Sequence, residues 1–160
     1  MPKTTYDFGN GAGPVPAHRH SNPDGSIGGW AAETATVART AYIGPEAQVH
    51  GEAQVHGEAR VYGSAWVDEK AQVSGEARVY GSALVYGDAV VGGSARVYGS
   101  AWVYGDAVVG GSAVVGGRAQ VCGASKISYG HLAPEKWTEY TDIVIDCEAA
   151  AVLYALAGVL

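Results

Sequence analysis

The chain has 160 residues, enough for one domain, and its 16 acidic residues outnumber its 10 Lys and Arg residues to give a net charge of −6. It is 48% hydrophobic, too apolar for a disordered chain, yet it holds one Phe, one Met and 24 Gly, which disfavours a core of large side chains. The negative charge disfavours a protein that coats nucleic acid, because such binding needs clustered positive charge.

The N-terminal segment, residues 1–34, is rich in Gly and Pro and has no apolar stretch typical of a signal peptide. We expect it to form a loop-like cap. Two Cys residues, Cys122 and Cys147, do not make a disulfide framework, so a cytoplasmic location is expected. We expect no membrane partner, because the longest apolar run, from Ala149 to Leu160, is too short to span a bilayer.

Residues 35–130 consist of sixteen consecutive hexads with the pattern A-x-V-x-G-x and no insertion. The first position is Ala in fifteen hexads, the third is Val in fourteen, and the fifth is Gly in twelve. The alternation directs Ala and Val to one side of a short strand, and the second and fourth residues to the other. Gly suits the bend that follows, because it tolerates a positive φ. The repeat therefore predicts short strands around a narrow interior.

A longer period, of three hexads, is visible within the array. The hexad ARVYGS occurs three times at this spacing, at 59–64, 77–82 and 95–100. AVVGGS recurs at the same interval, at 89–94 and 107–112. Three hexads therefore make one coil, and side chains at equivalent positions of successive coils are predicted to stack in rows.

The C-terminal segment, residues 131–160, is predicted to be a second cap that contains a helix and contributes to oligomerisation. Pro134 suits the first turn of a helix that starts near Ala133. A strand is predicted within residues 141–145. The apolar stretch from Asp146 to Leu160 is predicted to be a buried helix.

The array resembles the hexapeptide-repeat left-handed parallel β-helix family. That family places an aliphatic residue and, four positions later, a small residue in every six, as Val49 with Ala53 and Val55 with Ala59 do here. The resemblance implies an all-β, left-handed parallel β-helix with about five coils over these hexads. It also implies a homo-oligomer, most simply a parallel trimer, because family members are commonly trimeric.

Stacking at this spacing sorts the outward side chains onto three faces. The third face carries Gln54 and Gln72, then becomes smooth and apolar at Val90 and Val108. Exposed apolar rows often form interfaces, so the oligomer is expected to use this face or the aromatic face. The aromatic face holds Trp66, Leu84, Trp102, Tyr86 and Tyr104, beside His50 and Asp68. The Arg–Tyr face holds Arg60, Arg78, Arg96, Tyr62, Tyr80 and Tyr98.

The Arg–Tyr face is the candidate binding site. Arg side chains match phosphate oxygens, and Tyr rings can stack on a base. The net negative charge favours a small nucleotide or another small anion over a polynucleotide. His18, Arg19 and His20 are candidate helpers from the N-terminal segment. A purely self-stabilising ladder is the alternative, because Arg and Tyr rows also stabilise each other. We expect neither a cofactor nor a metal.

An enzyme is the second alternative, since many hexapeptide-repeat proteins transfer acetyl groups from acetyl-coenzyme A with a His as general base. The hexads contain no inserted loop that could form an acceptor pocket, so we favour a non-enzymatic protein. His50 and His56 are expected to be exposed strand residues. Because they lie one hexad apart, on different faces, one chain cannot bring both to a zinc ion of the γ-carbonic-anhydrase type.

The N-terminal residues HRHSNPDGSIGGWAAETATV, followed by GPEAQVHGEAQVHGEARVYGSAWV, are similar to hexapeptide-repeat proteins encoded by bacteriophages and prophages. This resemblance implies a protein that acts in the cytoplasm of a host cell. It suggests interference with host defence, for example by sequestering a signalling nucleotide, which is an inference by analogy.

Overall fold

The computed structural model describes residues 4–132 and 144–145, and within them the chain forms 21 short strands. The strands are β1 (Thr5–Tyr6), β2 (Val15–Ser21), β3 (Ile27–Ala32), β4 (Thr36–Val37), β5 (Tyr42–Ile43), β6 (Gln48–Val49), β7 (Gln54–Val55), β8 (Arg60–Val61), β9 (Trp66–Val67), β10 (Gln72–Val73), β11 (Arg78–Val79), β12 (Leu84–Val85), β13 (Val90–Val91), β14 (Arg96–Val97), β15 (Trp102–Val103), β16 (Val108–Val109), β17 (Val114–Val115), β18 (Gln120–Val121), β19 (Lys126–Ile127), β20 (His131–Leu132) and β21 (Val144–Ile145).

The strands form a parallel β-solenoid with three sheets, as the three-hexad period predicts. From β3 to β16, each strand pairs in parallel with the third strand after it. The register joins equivalent positions of successive coils, as in Arg60↔Arg78↔Arg96. Trp30 begins this pattern before the first hexad, opposite Gln48. The solenoid has about six turns rather than the expected five, because β3 and β21 extend one sheet beyond the hexads.

The interior is a narrow column of Ala and Val. Ala77 and Val79 are both 0% exposed, and the same holds for nearly every first and third hexad position. The second and fourth positions point outward, as the two-residue alternation requires. Burying each Val side chain contributes about 1.5–3 kcal/mol to stability. The hydrogen bonds between coils hold successive Val residues above one another along the axis. The interior therefore fixes which side chains lie on each face.

The bends between strands depend on Gly for two separate reasons. Gly81 has a φ of +75°, which L-residues with a side chain rarely adopt. A Cβ at Gly81 would also lie 2.9 Å from the backbone nitrogen of Gly99 in the next coil. Both constraints recur at most bends, which explains why the fifth hexad position is so often Gly.

The N-terminal segment is not the predicted loop, because it forms a small antiparallel sheet. Strand β2 pairs with β3, and β1 pairs with β2. Gly and Pro here mark the turns between strands rather than a continuous loop, and the strands between them bury Ala17, Ala31 and Ala32. Gly28 and Gly29 allow β3 to approach the first coils, since a Cβ at either would overlap a backbone carbonyl oxygen.

The C-terminal predictions are tested only in part. Strand β21 falls within the segment predicted as a strand. The predicted helices near Ala133 and from Asp146 to Leu160 lie outside the described residues. Across residues 4–132 and 144–145, no helix is long and apolar enough to cross a membrane.

The bend geometry yields a matched pair of substitutions. Gly81→Ala should lower the free energy of unfolding by at least about 1–2 kcal/mol, because the new Cβ must be held at positive φ against the next coil. Gly110→Ala is the control, since a Cβ there meets no atom within 4 Å and the residue has no positive φ. Urea denaturation monitored by circular dichroism measures both. Equal destabilisation of the two variants would contradict the stacked bends.

Candidate functional site

The three Arg residues of the Arg–Tyr face lie in one row, as predicted. Arg60, Arg78 and Arg96 occupy directly paired positions on neighbouring parallel strands, so their Cα atoms are about 4.8 Å apart. All three side chains are exposed. Among residues 4–132, none of the three guanidinium groups has an ion pair or hydrogen bond. The row therefore presents three guanidinium groups to solvent.

The three Tyr residues form a stack beside that row. The rings of Tyr62 and Tyr80 are 4.9 Å apart and nearly parallel, at 3°. Those of Tyr80 and Tyr98 are 5.3 Å apart at 11°. Such spacing follows directly from the distance between parallel strands. Each of these Tyr residues lies two positions after an Arg of the row, so the stack runs beside the row.

The C-terminal end of the Tyr stack depends on a missing side chain. The next residue in this row is Gly116, and a Cβ there would overlap the ring of Tyr98. The absence of a side chain lets the Tyr98 ring lie over the following coil. At the other end, Gly44 precedes Tyr62 in the row, so no aromatic side chain covers Tyr62 from that side.

A shallow cleft of about 220 Å³ lies on this face, lined by Tyr42, Arg60, Tyr62 and Arg78. Tyr42 pairs with Arg60 across the strands and so belongs to the same row. It was not among the predicted site residues, although it lies three hexads before Arg60 in the sequence. The cleft combines two guanidinium groups with two phenol rings.

The predicted helpers His18, Arg19 and His20 lie on β2, in the nine-stranded sheet rather than in the sheet with the Arg row. His18 Nδ1 lies 2.9 Å from a carboxylate oxygen of Glu33. Arg19 Nη1 donates a hydrogen bond of 2.9 Å to the carbonyl of Pro45. These two polar groups therefore have partners within the fold.

His20 and the neighbouring Asn22 cap an open strand edge. His20 is 5% exposed, and its Nε2 donates to the carbonyl of Ala41 at 3.0 Å. Asn22 Nδ2 donates to the carbonyl of Ile43 at 3.0 Å, and its Oδ1 accepts from the Ile43 N–H at 2.8 Å. These contacts satisfy the backbone groups of β5 that have no preceding strand to pair with. Sequence analysis missed Asn22 because its partner, Ile43, lies 21 residues away in the first coils.

The aromatic face is partly covered by the N-terminal segment. Tyr6 stacks on Trp30 at 4.5 Å, and Phe8 packs on His50 at 4.7 Å between ring centroids. The exposed part of the row continues beyond this cover to Trp102, which is 40% exposed. The predicted aromatic row is thus confirmed, but the N-terminal segment covers its first coils.

His50 is buried, at 1% exposed, so the expectation of an exposed strand residue is wrong. The path of Phe8 over the imidazole explains the difference. His50 Nδ1 lies 2.7 Å from Asp68 Oδ1 but off the direction of a hydrogen bond, and Nε2 has no partner among the described residues. Burial lowers the pKa of His50, and the Asp68 carboxylate opposes that shift only in part.

The bend after Asp68 is strained. Glu69 occupies the position that is usually Gly, and its φ of +57° is the one positive value for a residue other than Gly in residues 4–132. Asp68 Oδ1 accepts a 2.5 Å hydrogen bond from the Glu69 N–H. This contact fixes the carboxylate beside the imidazole of His50.

The fold and its rows of side chains define a parallel β-solenoid with an exposed basic and aromatic face. The YdcK Beta solenoid repeat family model matches residues 71–87 and 77–93, which include the middle of the Arg–Tyr face. These residues are similar to that repeat. No curated protein and no solved structure matches the chain.

The burial of His50 predicts a pH-dependent stability. Because its pKa is lower in the folded chain than the ordinary value of about 6.5, the unfolded chain binds more protons below pH 6.5. The free energy of unfolding should therefore fall between pH 7.5 and 5.5, by at most about 1.4 kcal/mol per pH unit from this residue. Urea denaturation of the wild type and His50→Gln measures the difference.

His56→Gln is the control for that comparison, because His56 is partly exposed and its Nε2 lies 3.0 Å from the side-chain oxygen of Gln54 at the surface. It should keep the pH dependence of the wild type, whereas His50→Gln should weaken it. The remaining dependence is expected from His20, whose pKa is also lowered by burial. An unchanged slope in His50→Gln would contradict the buried neutral imidazole.

Proposed function

We propose that this protein is a non-enzymatic, homo-oligomeric β-solenoid that binds a small phosphate-bearing ligand on its Arg–Tyr face. The observation that carries the proposal is the row of Arg60, Arg78 and Arg96, none of which forms an ion pair among the described residues. The alternative is a ladder of Arg and Tyr side chains that only stabilises itself. Binding of a phosphate-bearing compound distinguishes the two interpretations.

The electrostatics of the row favour an anion. Two unit positive charges about 5 Å apart repel by about 1 kcal/mol in water and by more beside a protein surface. The three Arg residues lie at strand spacing, so an anion between their guanidinium groups offsets such repulsion. A phosphate group that bridges two of them removes this repulsion and forms charge-assisted hydrogen bonds. The sequence keeps Arg at all three positions, with the same hexad around each.

The aromatic side chains favour a nucleotide among phosphate-bearing ligands. Tyr62 lines the same cleft as Arg60 and Arg78, and Gly44 leaves its N-terminal side uncovered. A base can stack there while its phosphates reach the guanidinium groups, as bases stack on Tyr in nucleic-acid-binding proteins. The free nucleotide is preferred to a polynucleotide because the whole chain is negatively charged.

The oligomeric part of the proposal rests on exposed apolar side chains. Trp102 is 40% exposed, and Leu84 and Trp66 are partly exposed in the same row. Val90 and Val108 are paired on neighbouring strands and form a second, separate apolar row on the third face. Large exposed apolar rows favour association between copies, and we propose a trimer.

The resemblance to phage-encoded proteins supplies a biological setting for the proposal. In the cytoplasm of an infected cell, a protein that binds a signalling nucleotide without turning it over would lower its free concentration. This role requires tight binding and no catalytic group at the Arg–Tyr face.

Arg78→Ala tests the proposal, because Arg78 lies in the middle of the row. Loss of one charge-assisted contact should weaken nucleotide binding about tenfold or more. Lys126→Ala is the control, since it removes an equal charge from an exposed position on another sheet. Calorimetry with nucleoside mono-, di- and triphosphates and acetyl-coenzyme A measures affinity, and ligand binding should raise the melting temperature.

Two results would contradict the proposal. No response to any phosphate-bearing compound would contradict the proposal, and a lower stability of Arg78→Ala would then favour the self-stabilising ladder. Steady release of thiol from acetyl-coenzyme A in the presence of an amine acceptor would instead favour the acetyltransferase alternative.

A further inference from the structure

A second cleft adjoins the Arg–Tyr face at its N-terminal end. It has a volume of about 350 Å³ and shares Tyr42 and Arg60 with the smaller cleft. Its other walls come from the β2–β3 turn and from two bends of the solenoid. The remaining lining residues are Pro23, Asp24, Thr40 and Glu58. This end of the basic row therefore faces two carboxylates.

The position of Asp24 is fixed by the fold. Gly25 N–H donates to the Asn22 carbonyl at 2.9 Å and closes the turn that contains Asp24. The Asn22 side chain, through its two hydrogen bonds to Ile43, holds this turn on β5 beside Tyr42. Asn22 thus positions a carboxylate next to the Arg row.

The Asp24 carboxylate is held in its charged form. Its Oδ1 accepts hydrogen bonds from the Ser26 hydroxyl at 2.6 Å and from the Ser26 N–H at 2.9 Å. These bonds lower the pKa of Asp24 below its usual range. Both bonds go to Oδ1, so Oδ2 can accept from a ligand. The Glu58 carboxylate has no hydrogen bond or ion pair among the described residues.

The chemistry of the cleft is asymmetric. Carboxylates accept hydrogen bonds but do not donate, and guanidinium groups only donate. Thr40 Oγ1 donates its proton to the Gly57 carbonyl at 2.5 Å, so its oxygen is also an acceptor toward the cleft. An inorganic anion satisfies Arg60 but is repelled by the carboxylates. A ligand that fits both sides carries phosphate at one end and hydroxyl donors beside it.

We propose that the two clefts form one ribonucleotide site, in which Asp24 and Glu58 accept hydrogen bonds from the ribose hydroxyls and Arg60 holds the phosphate. This inference rests on the proposed function and narrows its ligand class. Acidic side chains bind ribose hydroxyls in the same way in dinucleotide-binding folds. The carboxylates also select against phosphate-bearing ligands without hydroxyl groups.

Glu58→Ala and Glu76→Ala form a matched pair. Both residues occupy the sixth hexad position before an Arg of the row, one coil apart, and both are exposed. Only Glu58 of the two lines the 350 Å³ cleft. Each substitution removes one exposed carboxylate from an equivalent bend, so the two variants lose the same charge.

The experiment is calorimetry of the full chain with the four common nucleoside diphosphates, their 2′,3′-dideoxy forms and inorganic pyrophosphate. We expect the wild type to bind at least one nucleoside diphosphate about tenfold more tightly than its dideoxy form. Glu58→Ala should reduce this ratio towards one and should strengthen pyrophosphate binding, because a repelling charge is gone. Glu76→Ala should keep the ratio of the wild type.

Each remaining result overturns the inference. Equal affinity of the wild type for ribose and dideoxy forms, or equal ratios in the two variants, means that the carboxylates do not bind ribose. If binding in that case is still weakened by Arg78→Ala, the proposed function survives without the ribose contact. If no nucleotide or pyrophosphate binds, both proposals fail together.

Discussion

The narrow interior is the constraint on which the rest of this structure depends. It takes one small and one β-branched aliphatic side chain from nearly every strand, as at Ala77 and Val79, with Ile43 and Ile127 in the place of Val at two positions. Bends such as Gly81 must combine a positive φ with close contact to the next coil. These two requirements hold each coil to three hexads, so every outward side chain is repeated one strand spacing along the axis. Rows of like side chains are therefore a direct product of the core.

The candidate binding site lies where the rows meet a non-repeating element. The Arg row alone is a charged strip, and the Tyr stack alone is an apolar edge. The N-terminal hairpin adds what the repeat cannot, because Asn22 fixes the turn that carries Asp24 at the first coils of the same face. The segment before the hairpin also buries His50 under Phe8. One end of the solenoid thus gains a cleft with both signs of charge, whereas the hexads beyond it remain regular.

The sequence predicted the repeating part of the molecule and missed contacts that the repeat does not encode. Counting by three hexads was sufficient to place Arg78 between its neighbours, and the same count could have found Tyr42. The hairpin was missed because Gly and Pro in residues 1–34 mark turns as readily as loops. The roles of Asn22 and His50 depend on side chains that meet distant backbone and ring atoms, and no periodicity signals such meetings. Two features of the sequence did indicate close contacts in this region. They are the Gly28–Gly29 pair, where β3 approaches the first coils, and the single Phe of the chain, which packs on His50.

The most direct test of the stacked coils is disulfide formation between engineered Cys pairs. Ser64→Cys with Ser82→Cys places the two thiols at equivalent positions of adjacent coils, about 4.8 Å apart between Cα atoms, which is within the range of a disulfide. Ser64→Cys with Glu76→Cys places them at different corners. Mass spectrometry of peptides after mild oxidation should find the Ser64–Ser82 cross-link and not the Ser64–Glu76 one. A cross-link in the second pair, or none in the first, would contradict the three-hexad coil and every row derived from it.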